Sequence, residues 1–323
     1  MITIEGLTKA YGAQLAVDDV SFTAAPGRVT GFLGPNGAGK STSMRVMTGL
    51  TRPTSGSARI DGHLFADLPN PGREVGVLLD ASAQHAGRTG RETLAIAQRT
   101  MGLPRARVAQ MLATVGLTEA EAERRVRHYS LGMRQRLGIA TALIGDPRVL
   151  ILDEPANGLD PAGIRWMRDL LRDFADAGGT VLLSSHLLHE IEVVADDLVV
   201  IGNGRIVAQG SKAELLEAAG TLVRTGEHTR DRLVAALHAA GLTASLHGDG
   251  SVHTDGSPEE VGALALSAHV ALTELRSADS AGLEEMFLEL TAQSQRDAAD
   301  HEHQAGHPAA PAESTQSTEG AAA

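Results

Sequence analysis

Short runs rich in Val, Ile and Leu recur along this chain between longer stretches whose apolar residues return at helical spacing. Runs of that kind are how buried parallel strands read, because both faces of such strands are covered. They predict strands near Val29 to Leu33, Val75 to Leu79, Val149 to Leu152, Thr180 to Ser184 and Leu198 to Ile201. Thr3 to Leu7 and Val17 to Thr23 alternate more clearly and predict antiparallel strands laid beside that sheet. Between Arg91 and Ala142 the pattern turns helical, with Leu94, Ile96, Met111, Leu112 and Val115 separated by charge and interrupted by Pro104. This stretch, about 91–142, reads as a helical subdomain inserted into an α/β core. From Ser211 a helix at Lys212 to Ala218 leads into Ala- and His-rich alternations, with turns at Gly248 to Gly250 and Asp255 to Pro258.

Three segments follow: a main domain over 1–218, a small mixed appendage over 219–292 that ends near LEEMFLELT, and a tail over 293–323. The tail has too few large apolar groups to offset the entropy of ordering, which predicts disorder. No internal repeat is visible.

Composition narrows the function. A formal net charge of -12 gives no basic face for a phosphate backbone, so nucleic acid is not an expected partner. Binding one nucleotide needs only a local positive site. With no Cys there is neither a disulfide framework nor a thiolate metal site. The opening MITIEGLTKAYG is polar and acidic, without the basic and then apolar course of a secretion signal. No apolar run approaches the roughly 18 residues of a membrane span, so a membrane role is expected to pass through a partner.

The segment Gly34-Pro35-Asn36-Gly37-Ala38-Gly39-Lys40-Ser41 fits G-x-x-x-x-G-K-[ST], directly after one predicted strand and before the helical run Met44 to Leu50. Glycines let successive N–H groups turn inward on phosphates, and the following helix adds the positive end of its dipole. Asn36, Gly37, Ala38, Gly39 and Thr42 are the expected main-chain contacts, Lys40 the ligand of the terminal phosphates and Ser41 a ligand of Mg²⁺. Lysine occurs only at positions 9, 40 and 212, which makes a chance match improbable. A glycine-rich turn that binds nothing is the bland alternative, and the strand and helix on either side count against it.

The apolar strand Val149 to Leu152 ends abruptly in Asp153 and Glu154. A strand interior cannot hold two unpaired carboxylates, so they belong at its C-terminal edge, where ligands of open α/β sheets sit. Asp153 is placed to hold Mg²⁺ and Glu154 to orient and deprotonate an attacking water. Taken alone, the pair could also cap a helix. Thr180 to Ser184 likewise runs into His186, either an ordinary buried histidine or a contact to the γ-phosphate. Asp160 and Pro161 read as the N-cap and first turn of a helix on which Trp166 packs.

Together with Tyr129-Ser130-Leu131-Gly132-Met133-Arg134-Gln135-Arg136, these motifs resemble, in order and spacing, those of ABC transporter ATP-binding subunits over residues 2 to 218. The resemblance implies an α/β P-loop NTPase of ABC type with a mixed sheet, an inserted helical subdomain and a small α+β C-terminal appendage. It implies ATP and Mg²⁺ as cofactors and ATP hydrolysis as the reaction. Partners implied are a separate multispanning permease and a second ATP-binding subunit, at the cytoplasmic face of a membrane. It makes Tyr11 the aromatic stacked on adenine, places Ser130 and Gly132 in the signature that faces the other subunit's nucleotide, and places Asp160 in the loop after the carboxylates.

Two departures stand out. Where many relatives have L-S-G-G-Q this chain has Tyr129 to Met133, and where a Gln usually follows a V-G-x-x-x strand it has Asp80, a candidate neighbour of Mg²⁺. Both features, with the LEEMFLELT ending, are similar to the drug- and antibiotic-exporter branch. A soluble ABC-type ATPase acting without a permease is the alternative, though such proteins carry paired ATPase units or basic surfaces. A P-loop kinase would need an acceptor site instead of Glu154. Asp300, His301, Glu302, His303 and His307 read as a solvated tail, and His228, His238, His247, His253 and His269 show no ligand spacing.

Overall fold

The structure is a computed structural model that describes residues 1–187, 191–218, 220–246 and 250–277. The expectations for LEEMFLELT and for the tail at 293–323 lie outside the described residues.

Strand β1 (Ile2–Tyr11) alternates buried and exposed positions, and Ile2, Ile4 and Leu7 are buried. Its register against β2 (Gln14–Ala24) shifts between Ile4 and Leu7. That irregularity returns Leu7 to the core face, which a strict period of two would deny it. After β3 (Arg28–Leu33) and helix α1 (Lys40–Met47), β4 (Ser55–Ile60) adds to the other side of β1, giving an antiparallel sheet in the order β2-β1-β4. Sequence pattern missed β4, because SGSARI carries few of the residues that favour strands.

A short helix α2 (Pro71–Glu74) leads into β5 (Val75–Leu78). The helical insertion follows, with α3 (Gly90–Thr100), α4 (Ala106–Thr114), α5 (Glu119–Ala122) and α6 (Leu131–Leu143). Thr89 with Glu92 and Thr118 with Glu121 form capping boxes at α3 and α5. Leu94, Met111, Leu112 and Val115 are buried as expected, whereas Ile96 is 42% exposed. Two residues on a helix turn by about 200°, so Leu94 and Ile96 cannot share the inner face.

The chain then returns through β6 (Val149–Leu152), α7 (Pro161–Asp176), β7 (Thr180–Ser185), β8 (Asp197–Gly202) and β9 (Arg205–Ser211). The six-stranded sheet runs β5-β6-β7-β3-β8-β9 and is mixed, because only β9 pairs antiparallel to its neighbour. One face packs Leu33, Leu150, Leu152, Val181 and Leu183 against helical residues such as Leu137 and Leu171. The other packs Phe32, Ile151 and Leu182 against Ile4, Phe22 and Met44 of the antiparallel sheet and α1. Ions hold the opposite end: Arg28 Nε lies 2.5 Å from Asp197 and Arg172 Nη1 lies 2.8 Å from Asp196.

Beyond α8 (Lys212–Ala218) come β10 (Thr221–Thr225), α9 (Glu227–Ala239), β11 (Ser245–Leu246), β12 (Val252–Thr254), α10 (Pro258–Ser267) and β13 (Leu272–Ser277). Their sheet order, β11-β12-β10-β13, is the β-α-β-β-α-β arrangement of ferredoxin-like folds. Val223, Leu233, Leu237, Val252, Val261 and Ala265 form a separate core there.

Candidate nucleotide-binding and hydrolytic site

Three parallel strands, β3, β6 and β7, end side by side, and the phosphate loop, Asp153 with Glu154, and His186 follow directly from their ends. After Leu33 the chain wraps a cavity of about 280 Å³ lined by Asn36, Gly37, Gly39, Lys40, Ser41, Thr42 and Glu154 among others. Ala38 is buried below it and donates its N–H to Pro35 O at 3.2 Å. Gly39 is the N-cap of α1 at φ 108, and a Cβ there would stand 2.5 Å from Ala16 O. Both the backbone angle and the close approach demand glycine.

Lys40 is 5% exposed. Its Nζ donates to Gly34 O at 2.6 Å and Pro35 O at 3.2 Å, and lies 3.7 Å from Glu154 Oε1. Burial pushes the Lys40 ammonium below its usual pKa, against the pull of the Glu154 and Asp153 carboxylates. A cation held this way can turn toward a phosphate by exchanging carbonyl partners for anionic oxygens.

Glu154 Oε2 stands 2.9 Å from His186 Nδ1, so the strand ends join Lys40, Glu154 and His186 in one polar chain. Asp153 is anchored through its N–H, which donates to Leu78 O at 2.7 Å. Its carboxylate accepts a short bond from the Ser184 hydroxyl, and the same Ser184 Oγ accepts from Glu154 N at 3.0 Å. From the helical insertion, Gln135 Nε2 donates to Glu154 O at 2.8 Å. Sequence reasoning missed Ser184 and Gln135. A polar residue inside the apolar run VLLS was the available signal for Ser184; Gln135, between two arginines, reads as surface.

The other expected residues lie outside this cavity. Tyr11, 51% exposed, ends β1 with Lys9 Nζ 4.8 Å above its ring. Ser130 caps α6 by accepting from Met133 N at 3.2 Å, and Gly132 faces Gly158 O, which a Cβ would meet at 2.8 Å. Asp160 Oδ1 accepts from Gly163 N at 2.9 Å and so caps α7, and Trp166 lies on that helix with Arg136 4.5 Å over its ring. Asp80 is exposed, and its Oδ1 accepts from Ser82 N at 2.7 Å. Hydrogen bonding from the Ser82 side chain and main chain holds the Asp80 carboxyl below the usual carboxylate range. Among the described residues no His, Asp or Glu cluster of three or more could hold a metal, and no helix is long and apolar enough to cross a membrane.

Residues 17–157 match the ABC transporter family. The chain is 36% identical over 305 residues to the daunorubicin/doxorubicin resistance ATP-binding protein DrrA of Streptomyces peucetius, covering 90% of this chain and 92% of that protein. It is 41% identical over 212 residues to the bacitracin transport ATP-binding protein BcrA of Bacillus licheniformis, covering 65% of this chain and 69% of that protein. A solved ATP-binding subunit of an ABC transporter superposes with a TM-score of 0.62 at 30% identity, covering 67% of this chain and 91% of that one. The chain belongs to the ATP-binding subunits of ABC transporters. It is an ABC-type ATPase, which binds ATP and hydrolyses it.

Proposed function

We propose that this ATPase powers export of a drug or antibiotic through a separate multispanning permease, sitting peripherally at the cytoplasmic face of the membrane. The observation that carries this reading is the length of the likeness to the daunorubicin/doxorubicin resistance protein, which runs over 90% of the chain and so beyond the nucleotide-binding region. A relative from Streptococcus pyogenes, a lantibiotic transport ATP-binding protein, is 37% identical over 211 residues, 90% of its own length.

In this reading the N–H groups of Asn36, Gly37, Ala38, Gly39 and Thr42 cradle the phosphates, Lys40 pairs with their terminal charges and Tyr11 stacks on adenine. Ser41, which lines the cavity, and Asp153, next to the lining residue Glu154, offer hard oxygen donors, the donor type that suits Mg²⁺, a metal that uses few protein ligands. Mg²⁺ supplies Lewis-acid withdrawal of charge from the phosphates. Glu154 takes the proton of the attacking water, while His186 fixes the carboxylate's aim and reaches the γ-phosphate. Ser130 and Gly132, which lie outside the cavity of their own chain, face the nucleotide of a second subunit, and Asp160 belongs to the nucleotide-binding loop after the carboxylates. Asp80 serves contact with the permease or Mg²⁺.

The test is co-expression with the multispanning protein and reconstitution into vesicles, with ATP-driven movement of daunorubicin as the probe. Co-purification and ATP-dependent accumulation are the expected results. An ATPase that never associates with a membrane protein, or whose complex moves no such compound, would overturn the reading.

A further inference from the structure

We propose that Ser184 and Gln135 are positioning residues that clamp the main chain of Glu154 from two sides and thereby aim its carboxylate. The inference rests on the reading of Glu154 as the base. Glu154 has φ 48, the left-handed conformation that a residue with a Cβ adopts only when its surroundings impose it. Its two main-chain polar groups are the handles. Ser184 Oγ takes the N–H at 3.0 Å, and Gln135 Nε2 gives to the carbonyl at 2.8 Å.

The direction of the Ser184 bonds is fixed by chemistry. A hydroxyl has one proton, and here it goes to Asp153 Oδ1. The lone pairs are left to face the Glu154 N–H. One buried hydroxyl, 0% exposed, thus sets the spacing of both carboxylates of the site. Alanine would leave a partly buried N–H without its acceptor, and the left-handed turn without its restraint.

Gln135 comes from another part of the fold. It lies on α6, whose N-cap is Ser130 of the signature, and it is 3% exposed. Its Nε2 must face Glu154 O, since a carbonyl only accepts, and this leaves Oε1 buried with no hydrogen-bond partner. The bond to Glu154 O makes the aim of the carboxylate depend on where α6 stands relative to the sheet. The adjoining turn is tied to the same helix, as Gln84 Nε2 donates to Arg134 O at 3.1 Å.

The test is steady-state ATPase of the full chain for Ser184→Ala, Ser184→Thr, Gln135→Met and Glu154→Gln, and for Ser184→Ala and Gln135→Met combined with Glu154→Gln. Ser184→Ala and Gln135→Met should each lower kcat by about 10- to 100-fold with the KM for ATP moved less than about twofold. Ser184→Thr, which keeps the hydroxyl, should recover most of the loss. On the Glu154→Gln background neither change should lower the residual rate further, because there is no base left to misplace. Wild-type kcat in both single variants, an effect confined to KM, or an equal further fall on the Glu154→Gln background would overturn the clamp. So would loss of folding in both, read by melting and ATP binding, since that is a structural role. If Glu154→Gln keeps wild-type kcat, the base assignment itself fails. If Glu154→Gln is inactive while both clamp variants are normal, only the clamp fails.

Discussion

Replacing Glu154 by Gln removes one negative charge while leaving the side-chain volume and both main-chain clamps in place. Its carboxylate lies 3.7 Å from the Lys40 ammonium and 2.9 Å from His186 Nδ1. For unit charges at the Lys40 separation, an effective dielectric of about 20 gives at most about 4.5 kcal/mol of attraction. In the Gln variant that attraction is available to phosphate, so ATP affinity should hold or rise. Loss of the base should cost about 10²- to 10⁴-fold in kcat, or about 3–5 kcal/mol of transition-state stabilisation. Phosphate release at saturating ATP and Mg²⁺, with calorimetry for ATP affinity, measures both quantities. Light scattering on the same sample should show an ATP-bound dimer accumulating, because ATP persists between the two subunits. A kcat within about threefold of wild type would refute the assignment, as would a parallel collapse of ATP binding.

Lys40→Met should abolish hydrolysis and the rise in melting temperature that ATP produces, and wild-type turnover would remove this loop from the site. Since burial lowers the Lys40 pKa, the unfolded chain binds more protons between that depressed value and about 10.4, so wild-type stability rises with pH across that window. Melting of nucleotide-free Lys40→Met should lack this increment. For Asp196, burial pushes the pKa up but the Val29 N–H bond and the Arg172 and Arg28 guanidiniums outweigh it, and the net shift is downward. Its contribution is therefore present above about pH 3.9 and lost as pH falls through the depressed value, so Asp196→Asn should melt earlier at pH 7 and converge on wild type in acid; a constant gap would contradict this. Asp80→Asn keeps an acceptor for Ser82 N but removes the charge, and in the reconstituted complex it should lower transport more than hydrolysis; equal transport per ATP would make Asp80 a cap and nothing more.

The identification with one family depended on contiguous stretches of chain. A phosphate loop is built from successive N–H groups of one turn, so Gly34 to Ser41 carries its own geometry in its own residues. The strand ending in Asp153 and Glu154, and the helix opened by Asp160 and Pro161, are legible for the same reason: burial pattern and capping act within a few residues. Five of the six strands of the mixed sheet announced themselves as apolar runs, while β9, half-covered at the edge, did not.

Everything that depends on which strand lies beside which was decided by tertiary structure. Ser184 meets Asp153 only because β7 lies next to β6 with Leu183 opposite Leu152, and no property of VLLSSH reveals that neighbour. Gln135 looks like a surface residue until α6 is laid against the loop after β6, 19 positions further along. The same holds for Arg28, whose ion pair spans 169 positions. Local hydrogen bonding and periodicity are written residue by residue, whereas pairing order, register and the residues that clamp a strained turn arise only when distant segments share one core.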